Sequence, residues 1–294
     1  MFSLIIPAYN EEGAIGETVQ IAHDVLEKTG EEFEIVVIDD GSTDGTANVL
    51  RNISLSNLKV IKHPRNTGYG ASLKTGIRRS KGEVIGIVDA DGTYPINQFP
   101  SLLNKLEDGD IDMVIGARTK KGVKIPLMRR PAKWIVNTLA NMLTGMRIPD
   151  LNSGMRVFRR DFAERFTHLY PQRFSFTITI TLAALTNGYL VEFIPIDYFK
   201  RQGKSSLSSG MSGIGNFVGF LGLVLRITTY FRPLRFFAVP SVILTLAGVV
   251  TVVYTIWTDA NISDVGMLML LTGLQIGLFG ILAEVVVRHR QVER

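Results

Sequence analysis

Cysteine is absent from this 294-residue chain, so neither disulfides nor thiolate metal sites are available to it. Histidine is scarce: His23, His63, His168 and His289 are scattered, show no obvious pairing with a carboxylate, and read as structural. Glycine-rich phosphate loops are missing as well. Where a dinucleotide-binding domain carries Gly-x-Gly-x-x-Gly after its first strand, this chain has Pro7-Ala8-Tyr9-Asn10-Glu11-Glu12-Gly13, and it contains no Walker motif. Any phosphate it binds must then be held by side chains or by a metal ion. Nor is there a signal peptide to see, because Met1-Phe2-Ser3 runs straight into the strand-like Leu4-Ile5-Ile6-Pro7; the first domain is expected in the cytoplasm.

Two further absences are local. Between Met113 and Pro149 there is no acid, against eight basic residues: Arg118, Lys120, Lys121, Lys124, Arg129, Arg130, Lys133 and Arg147. A solvated face normally mixes signs, so this segment is expected to meet anions. Pro131 opens a helix with Ile135, Leu139, Met142 and Leu143 at helical spacing, either lying on a membrane surface or facing an ordinary core. From about 236 to 257 and from about 266 to 287 there is no basic residue and almost nothing polar. Each run, at roughly 22 residues, is long enough to cross a hydrocarbon core of about 30 Å. The linker between them carries Asp259 and Asp264, whereas Arg232 and Arg235 precede the first run and Arg288, Arg290 and Arg294 follow the second. The positive-inside rule therefore predicts a multi-pass membrane protein with a hairpin at 236–294, both termini cytoplasmic and the short acidic loop outside. Glu284 sits near the cytoplasmic end of the second run, within reach of the interface, and needs no transport role. The stretch 210–235 is apolar but interrupted by Arg226, and is expected to lie in the interface.

What the chain does contain is an alternation of apolar strands and amphipathic helices over residues 1–209. Strands are expected at Phe2–Pro7, Phe33–Asp39, Leu58–Lys62, Val84–Asp89 and Asp112–Gly116, with helices at Glu12–Lys28, Gly45–Asn52 and Tyr69–Ser80 between them. This order predicts an α/β, doubly wound, mostly parallel sheet. Polar clusters then fall at successive strand ends: Tyr9-Asn10-Glu11, Asp39-Asp40-Gly41-Ser42, Asn66-Thr67-Gly68 and Asp89-Ala90-Asp91. One crevice at the carboxyl ends of the strands is the natural consequence. A net charge of +5 and a pI near 9.4 are compatible with phosphate substrates or an anionic membrane, and nothing specifically suggests nucleic acid.

Asp89 and Asp91 end the apolar run Val84–Val88 and are followed by Gly92 and Pro95, which force a turn. If strand geometry persists that far, both carboxylates point to one side. Two hard oxygen donors there suit Mg²⁺ or Mn²⁺ bridging a substrate diphosphate. The alternative is a turn whose aspartates merely cap backbone amides.

Taken in order, Ile5-Ile6-Pro7-Ala8-Tyr9-Asn10-Glu11, Val37-Ile38-Asp39-Asp40-Gly41-Ser42-Thr43-Asp44-Gly45-Thr46, Asp89-Ala90-Asp91, Asn152-Ser153-Gly154-Met155-Arg156 and Arg201-Gln202-Gly203-Lys204-Ser205 carry a resemblance. The chain resembles membrane-anchored family 2 glycosyltransferases of the polyprenyl-phosphate type, such as dolichol-phosphate mannose and undecaprenyl-phosphate glucose synthases. That resemblance implies a GT-A fold and inverting transfer of one sugar from a UDP- or GDP-linked donor to a polyprenyl phosphate. Residue by residue, it implies that Pro7, Tyr9, Glu11 and Asp40, with the adjacent Asp39, hold the nucleoside. It implies that Asp89 and Asp91 hold diphosphate and metal, that Arg118 and Arg129 or Arg130 hold the acceptor phosphate, and that Arg201 reaches the donor diphosphate. Asp150 is expected to orient an arginine or the acceptor. A possible homo-oligomer is left open. Two departures bear on the sugar: Gly92-Thr93 stands where the mannose synthases read Leu-Gln, and Ser206 stands where their closing loop has Lys. The processive motif Gln-x-x-Arg-Trp is missing, which favours single transfer. The alternatives are a membrane transferase acting on a hydroxyl such as that of diacylglycerol, with Asp150 as base, and an inactive membrane scaffold.

Overall fold

The computed structural model describes residues 1–120, 137, 138, 140–142, 144–172, 175–199, 230 and 233–292. The chain forms two units, Met1–Gly213 and Ile214–Arg294.

The first unit is built on a seven-stranded sheet. Its elements are β1 (Phe2–Ala8), α1 (Ile15–Glu27), β2 (Phe33–Asp39), α2 (Thr46–Arg51), β3 (Leu58–Lys62), α3 (Tyr69–Arg79), β4 (Val84–Ile87), α4 (Phe99–Glu107), β5 (Met113–Ala117), β6 (Arg156–Arg159), α5 (Arg160–Arg165), α6 (Phe176–Thr186) and β7 (Val191–Pro195). The strand order is β3-β2-β1-β4-β6-β5-β7. Every pairing is parallel except those of β6, which runs antiparallel to both β4 and β5. The expected α/β sheet is present, then, but it is mixed.

The strands are apolar on both faces because helices cover both. Phe2, Leu4, Ile6 and Ala8 pack on one side with Ile15, Val19, Ala22 and Leu26 of α1 and with Phe99, Leu102 and Leu106 of α4. Ile5 points the other way, against α3 at Gly76. Each fully buried aliphatic side chain in this sandwich contributes about 1.5–3 kcal/mol.

Two details shape the sheet's carboxyl edge. β4 stops at Ile87, short of the expected Asp89, so alternation along a strand does not govern where Asp89 and Asp91 point. The last β1–β4 pair is Ile5 with Ile87, and the Val88 N–H donates to the Ile5 carbonyl at 3.2 Å. In a parallel ladder the next rung would need an N–H from residue 7. Residue 7 is proline and has none.

The second unit is an antiparallel helix pair, α7 (Pro233–Asp259) and α8 (Asp264–Val292). Two segments, Pro233–Thr258 and Asp264–Val287, with mean hydropathies of 2.3 and 2.0, are long and apolar enough to cross a membrane. They enclose the expected spans at 236–257 and 266–287. Glycine brings the helices together: a Cβ on Gly273 would lie 2.7 Å from the Thr245 backbone nitrogen. The Ser241 hydroxyl donates to the Gly273 carbonyl at 2.8 Å, and the Glu284 carboxylate accepts from the Leu234 N–H at 3.3 Å, near the start of α7. The expected interfacial helix at 210–235 falls almost wholly outside the described residues.

Candidate active site

The tips of β1 and β2 are laced together by their loops. Asn10, in the left-handed region at φ 57°, donates its N–H to the Ser42 hydroxyl at 3.0 Å and accepts from the Thr43 N–H at 2.8 Å. The Glu11 N–H donates to the Thr46 hydroxyl at 2.9 Å, and the Glu12 carboxylate accepts from the Gly45 N–H at 2.7 Å. Pro7 is buried beneath this lacing, and Tyr9 and Glu11 are half-buried beside it. Asp39 is buried and accepts from the Ser42 N–H through Oδ1; its Oδ2 lies 3.9 Å from the Lys62 ammonium and accepts no hydrogen bond from the described residues.

Asp40 turns inward. It accepts from the Thr67 N–H at 3.0 Å, the Thr67 hydroxyl at 2.6 Å and the Gly68 N–H at 2.7 Å, and lies 2.7 Å from His63 Nδ1. Burial alone would raise its pKa, but these bonds outweigh burial and hold the carboxyl below the usual carboxylate range. The other nitrogen of His63 meets the Thr75 hydroxyl at 3.0 Å; this histidine, for which the sequence suggests no carboxylate partner, has one in Asp40.

At the tip of β4, Asp89 and Asp91 sit in a turn closed by Gly92 at φ 69°. Both are oriented by hydroxyl donors. Tyr69, the first residue of α3, donates to Asp89 Oδ1 at 2.9 Å. Thr93 donates its hydroxyl to Asp91 Oδ1 at 2.6 Å and its N–H to the same oxygen at 3.2 Å. Thr93, one of the two residues at which the sequence leaves the expected motif, thus steadies Asp91. Gly154 closes the other side of Asp89: a Cβ there would fall 2.6 Å from Asp89 Oδ2, so only glycine leaves that carboxylate its place. The Gly154 N–H donates to the Tyr94 hydroxyl at 2.7 Å.

Among the described residues no group of three or more His, Cys, Asp or Glu side chains converges on a metal site. That does not disqualify Asp89 and Asp91, because Mg²⁺ is commonly held by one or two carboxylates plus substrate phosphates and water. Two carboxylates, each oriented by a hydroxyl donor at the end of a strand, fit that donor set.

Asp150 and Arg118 form the second pole. Arg118 donates through Nε at 2.8 Å and Nη2 at 2.9 Å, and its backbone N–H adds a third bond at 3.1 Å. Asn152 contributes a fourth, from its N–H at 3.1 Å. Burial raises the Asp150 pKa, yet the Arg118 fork outweighs it and the carboxyl lies below its ordinary value. The guanidinium carbon of Arg118 stands 5.1 Å from the centre of the Tyr198 ring. Asp150 therefore orients an arginine, and as a proton acceptor it is poorly suited. Beyond them, Lys120 pairs with Asp197 at 3.0 Å.

Sequence reasoning assigns no role to Tyr69, Thr93, Tyr94, Gly154 or Arg156. Arg156 is fully buried, donates to the Thr177 carbonyl and the Thr181 hydroxyl, and binds the Ser153 carbonyl, so it anchors the turn that carries Gly154. Burial pushes its pKa down to about 10, although Tyr69, Tyr94, Asp150 and Asp89 pull the other way. An arginine ending the Asn152–Arg156 run was the only signal for it. Arg129, Arg130 and Arg201, expected at the acceptor and donor phosphates, lie outside the described residues.

This sheet, with its polar strand tips, is the GT-A type of nucleotide-sugar fold. The glycosyl transferase family 2 model matches residues 3–167 and the GtrB C-terminal hairpin model matches residues 232–288. The chain belongs to glycosyl transferase family 2 and is a glycosyltransferase. It is 28% identical over 291 residues to the low-salt glycan biosynthesis hexosyltransferase Agl6 of Haloferax volcanii, covering 95% of this chain and 67% of that one. It is 24% identical over 299 residues to the dodecaprenyl-phosphate galacturonate synthase of Rhizobium johnstonii, covering 97% and 87%. Among solved structures, glucosyl-3-phosphoglycerate synthase from Mycobacterium tuberculosis, in complex with Mn²⁺, UDP and phosphoglyceric acid, superposes with a TM-score of 0.60 at 16% identity, over 78% of this chain and 77% of that one. At that identity the likeness speaks for the fold.

Proposed function

We propose that this enzyme transfers a single sugar, with inversion, from a nucleoside-diphosphate sugar to a membrane polyprenyl phosphate. The observation that carries the reading is the coexistence in one chain of the Asp89–Asp91 turn with a hairpin of the GtrB type. The relative named for a dodecaprenyl-phosphate product supports it. The hairpin tethers the enzyme to the membrane where such an acceptor resides, and the charge pattern at its ends favours cytoplasmic termini.

Pro7, Tyr9, Glu11, Asp39 and Asp40 form or back the nucleoside side of the site. Asp89 and Asp91 would hold Mg²⁺ or Mn²⁺, which when bound neutralises charge on the departing diphosphate. A phosphate monoester has a second pKa near ~6, so at neutral pH the acceptor is mostly a dianion and serves as its own nucleophile. Its oxygen bonds to the anomeric carbon as the bond from that carbon to the diphosphate oxygen breaks, and the nucleoside diphosphate leaves with the electron pair. No general base is needed, in keeping with an Asp150 already committed to Arg118. Arg118, held in a fork by Asp150 and lying over the Tyr198 ring, would hold an anionic oxygen, with Arg129, Arg130 and Arg201 as further phosphate ligands.

Labelled sugar from UDP- and GDP-linked donors, offered to membranes with and without added polyprenyl phosphate, tests this. The expected outcome is a polyprenyl-phosphate sugar whose yield follows the added acceptor. Label appearing instead in diacylglycerol would replace this function with the hydroxyl-acceptor one.

A further inference from the structure

The nucleoside-side loop and the Asp89 carboxylate are connected by a continuous set of bonds. Asp40, at the end of β2, collects the Thr67 and Gly68 donors and so fixes the loop that leads into α3. The next residue is Tyr69, and its hydroxyl reaches Asp89 Oδ1 at 2.9 Å. Gly154 leaves room for that carboxylate on the far side, since any side chain there would collide with both Asp89 oxygens. Asp89 thereby sits between α3 and the 152–156 turn, with β4 and β5 between them in the chain.

We propose that Tyr69 is a positioning residue that sets the Asp89 carboxylate for the divalent cation and diphosphate. The phenol works through Asp89 and touches no substrate itself. A hydroxyl donor behind a metal-binding carboxylate fixes its orientation, and losing such a partner weakens metal affinity by about 10–100-fold. The Asp40 clamp makes the same contact sensitive to the loop beside the nucleoside. This inference rests on the metal–diphosphate reading given above, and the experiment separates the two.

Mn²⁺ binding to the full-length protein, with UDP or GDP present, is read from the electron paramagnetic resonance signal of free Mn²⁺. Tyr69→Phe keeps the ring and removes only the oxygen, and is expected to weaken Mn²⁺ binding at least about tenfold. Gly154→Ala displaces Asp89 from the opposite side, leaves Tyr69 intact, and is expected to act in the same direction, so a poorly folding Tyr69→Phe does not end the test. Tyr170→Phe is the control. That tyrosine is buried, and its hydroxyl has no hydrogen-bond partner among the described residues, so its loss should leave Mn²⁺ affinity unchanged. Wild-type affinity in folded Tyr69→Phe, with affinity lost in Asp91→Ala, would overturn the positioning role alone, whatever Gly154→Ala does. Mn²⁺ affinity retained by Asp91→Ala would overturn the metal–diphosphate reading and this inference with it.

Discussion

The two units of the chain bury opposite things. In the sheet unit, aliphatic side chains go inside and the polar groups at the strand tips are drawn in after them, each with named partners: Asp40 with His63, Thr67 and Gly68, Asp150 with Arg118 and Asn152. In the hairpin the aliphatic residues face out, Val250 at 67% and Leu268 at 66% exposure, while the small and polar residues Ser241, Thr245 and Gly273 line the seam. A long-range hydrogen-bond network specifies one unit. Close backbone approach specifies the other, as expected when lipid rather than water is the surrounding solvent. Chemistry that depends on fixed charges belongs in the first.

That contrast can be broken in order of expected effect. Asp91→Ala should lower the turnover number by at least about 10³-fold, roughly 4 kcal/mol of transition-state stabilisation, and leave membrane association intact. Transfer assays on washed membranes and on the purified enzyme measure both, and near wild-type activity would remove the metal role. Asp150→Ala strands Arg118 in a largely buried place and should destabilise the sheet unit by about 3 kcal/mol in urea titrations. The same residue gives a pH dependence. Its folded pKa lies below the unfolded value of about 3.9, so its stabilisation is complete above that pH and is lost as pH falls through the folded value. Asp150→Asn should flatten this acid limb; an unchanged limb would show that the Arg118 fork contributes nothing there. The smallest effect is expected in the hairpin, where Gly273→Leu should cost about 1–2 kcal/mol by forcing α7 and α8 apart. Thermal melting in detergent should show it in the helical transition with sugar transfer per folded molecule little altered, and loss of transfer without loss of helix would break the division between the units.

Much of this was legible in the sequence, for physical reasons. The strands β1 to β5 and the helices α1 to α3 announce themselves through apolar runs and helical periodicity, and the two spans through length and apolarity; α4, between β4 and β5, is not among the expected helices. The strand β6 has no counterpart among the expected strands, and its antiparallel direction is a matter of pairing with β4 and β5, which no local pattern encodes. At the site, Asp89 and Asp91 stand out as paired carboxylates ending an apolar run, while Arg118 is marked by its acid-free basic segment and by the family resemblance. Tyr69, Thr93 and Gly154 do not stand out. Each is an ordinary residue type whose role comes from the carboxylate it meets, and for Tyr69 and Gly154 that carboxylate is 20 and 65 positions away in the chain.

Pro7 looks at first like a minor irregularity in a central strand. Were an amide hydrogen present at that position, it would point at the Val88 carbonyl, and β4 would have reason to keep zipping along β1 toward the aspartates. Each further rung would pull Asp89 and Asp91 out of their turn and into the pleat, closing the mouth of the sheet with its own backbone. The missing hydrogen acts as a stop on the zipper: the cleft stays open because the one bond that would seal it cannot be made.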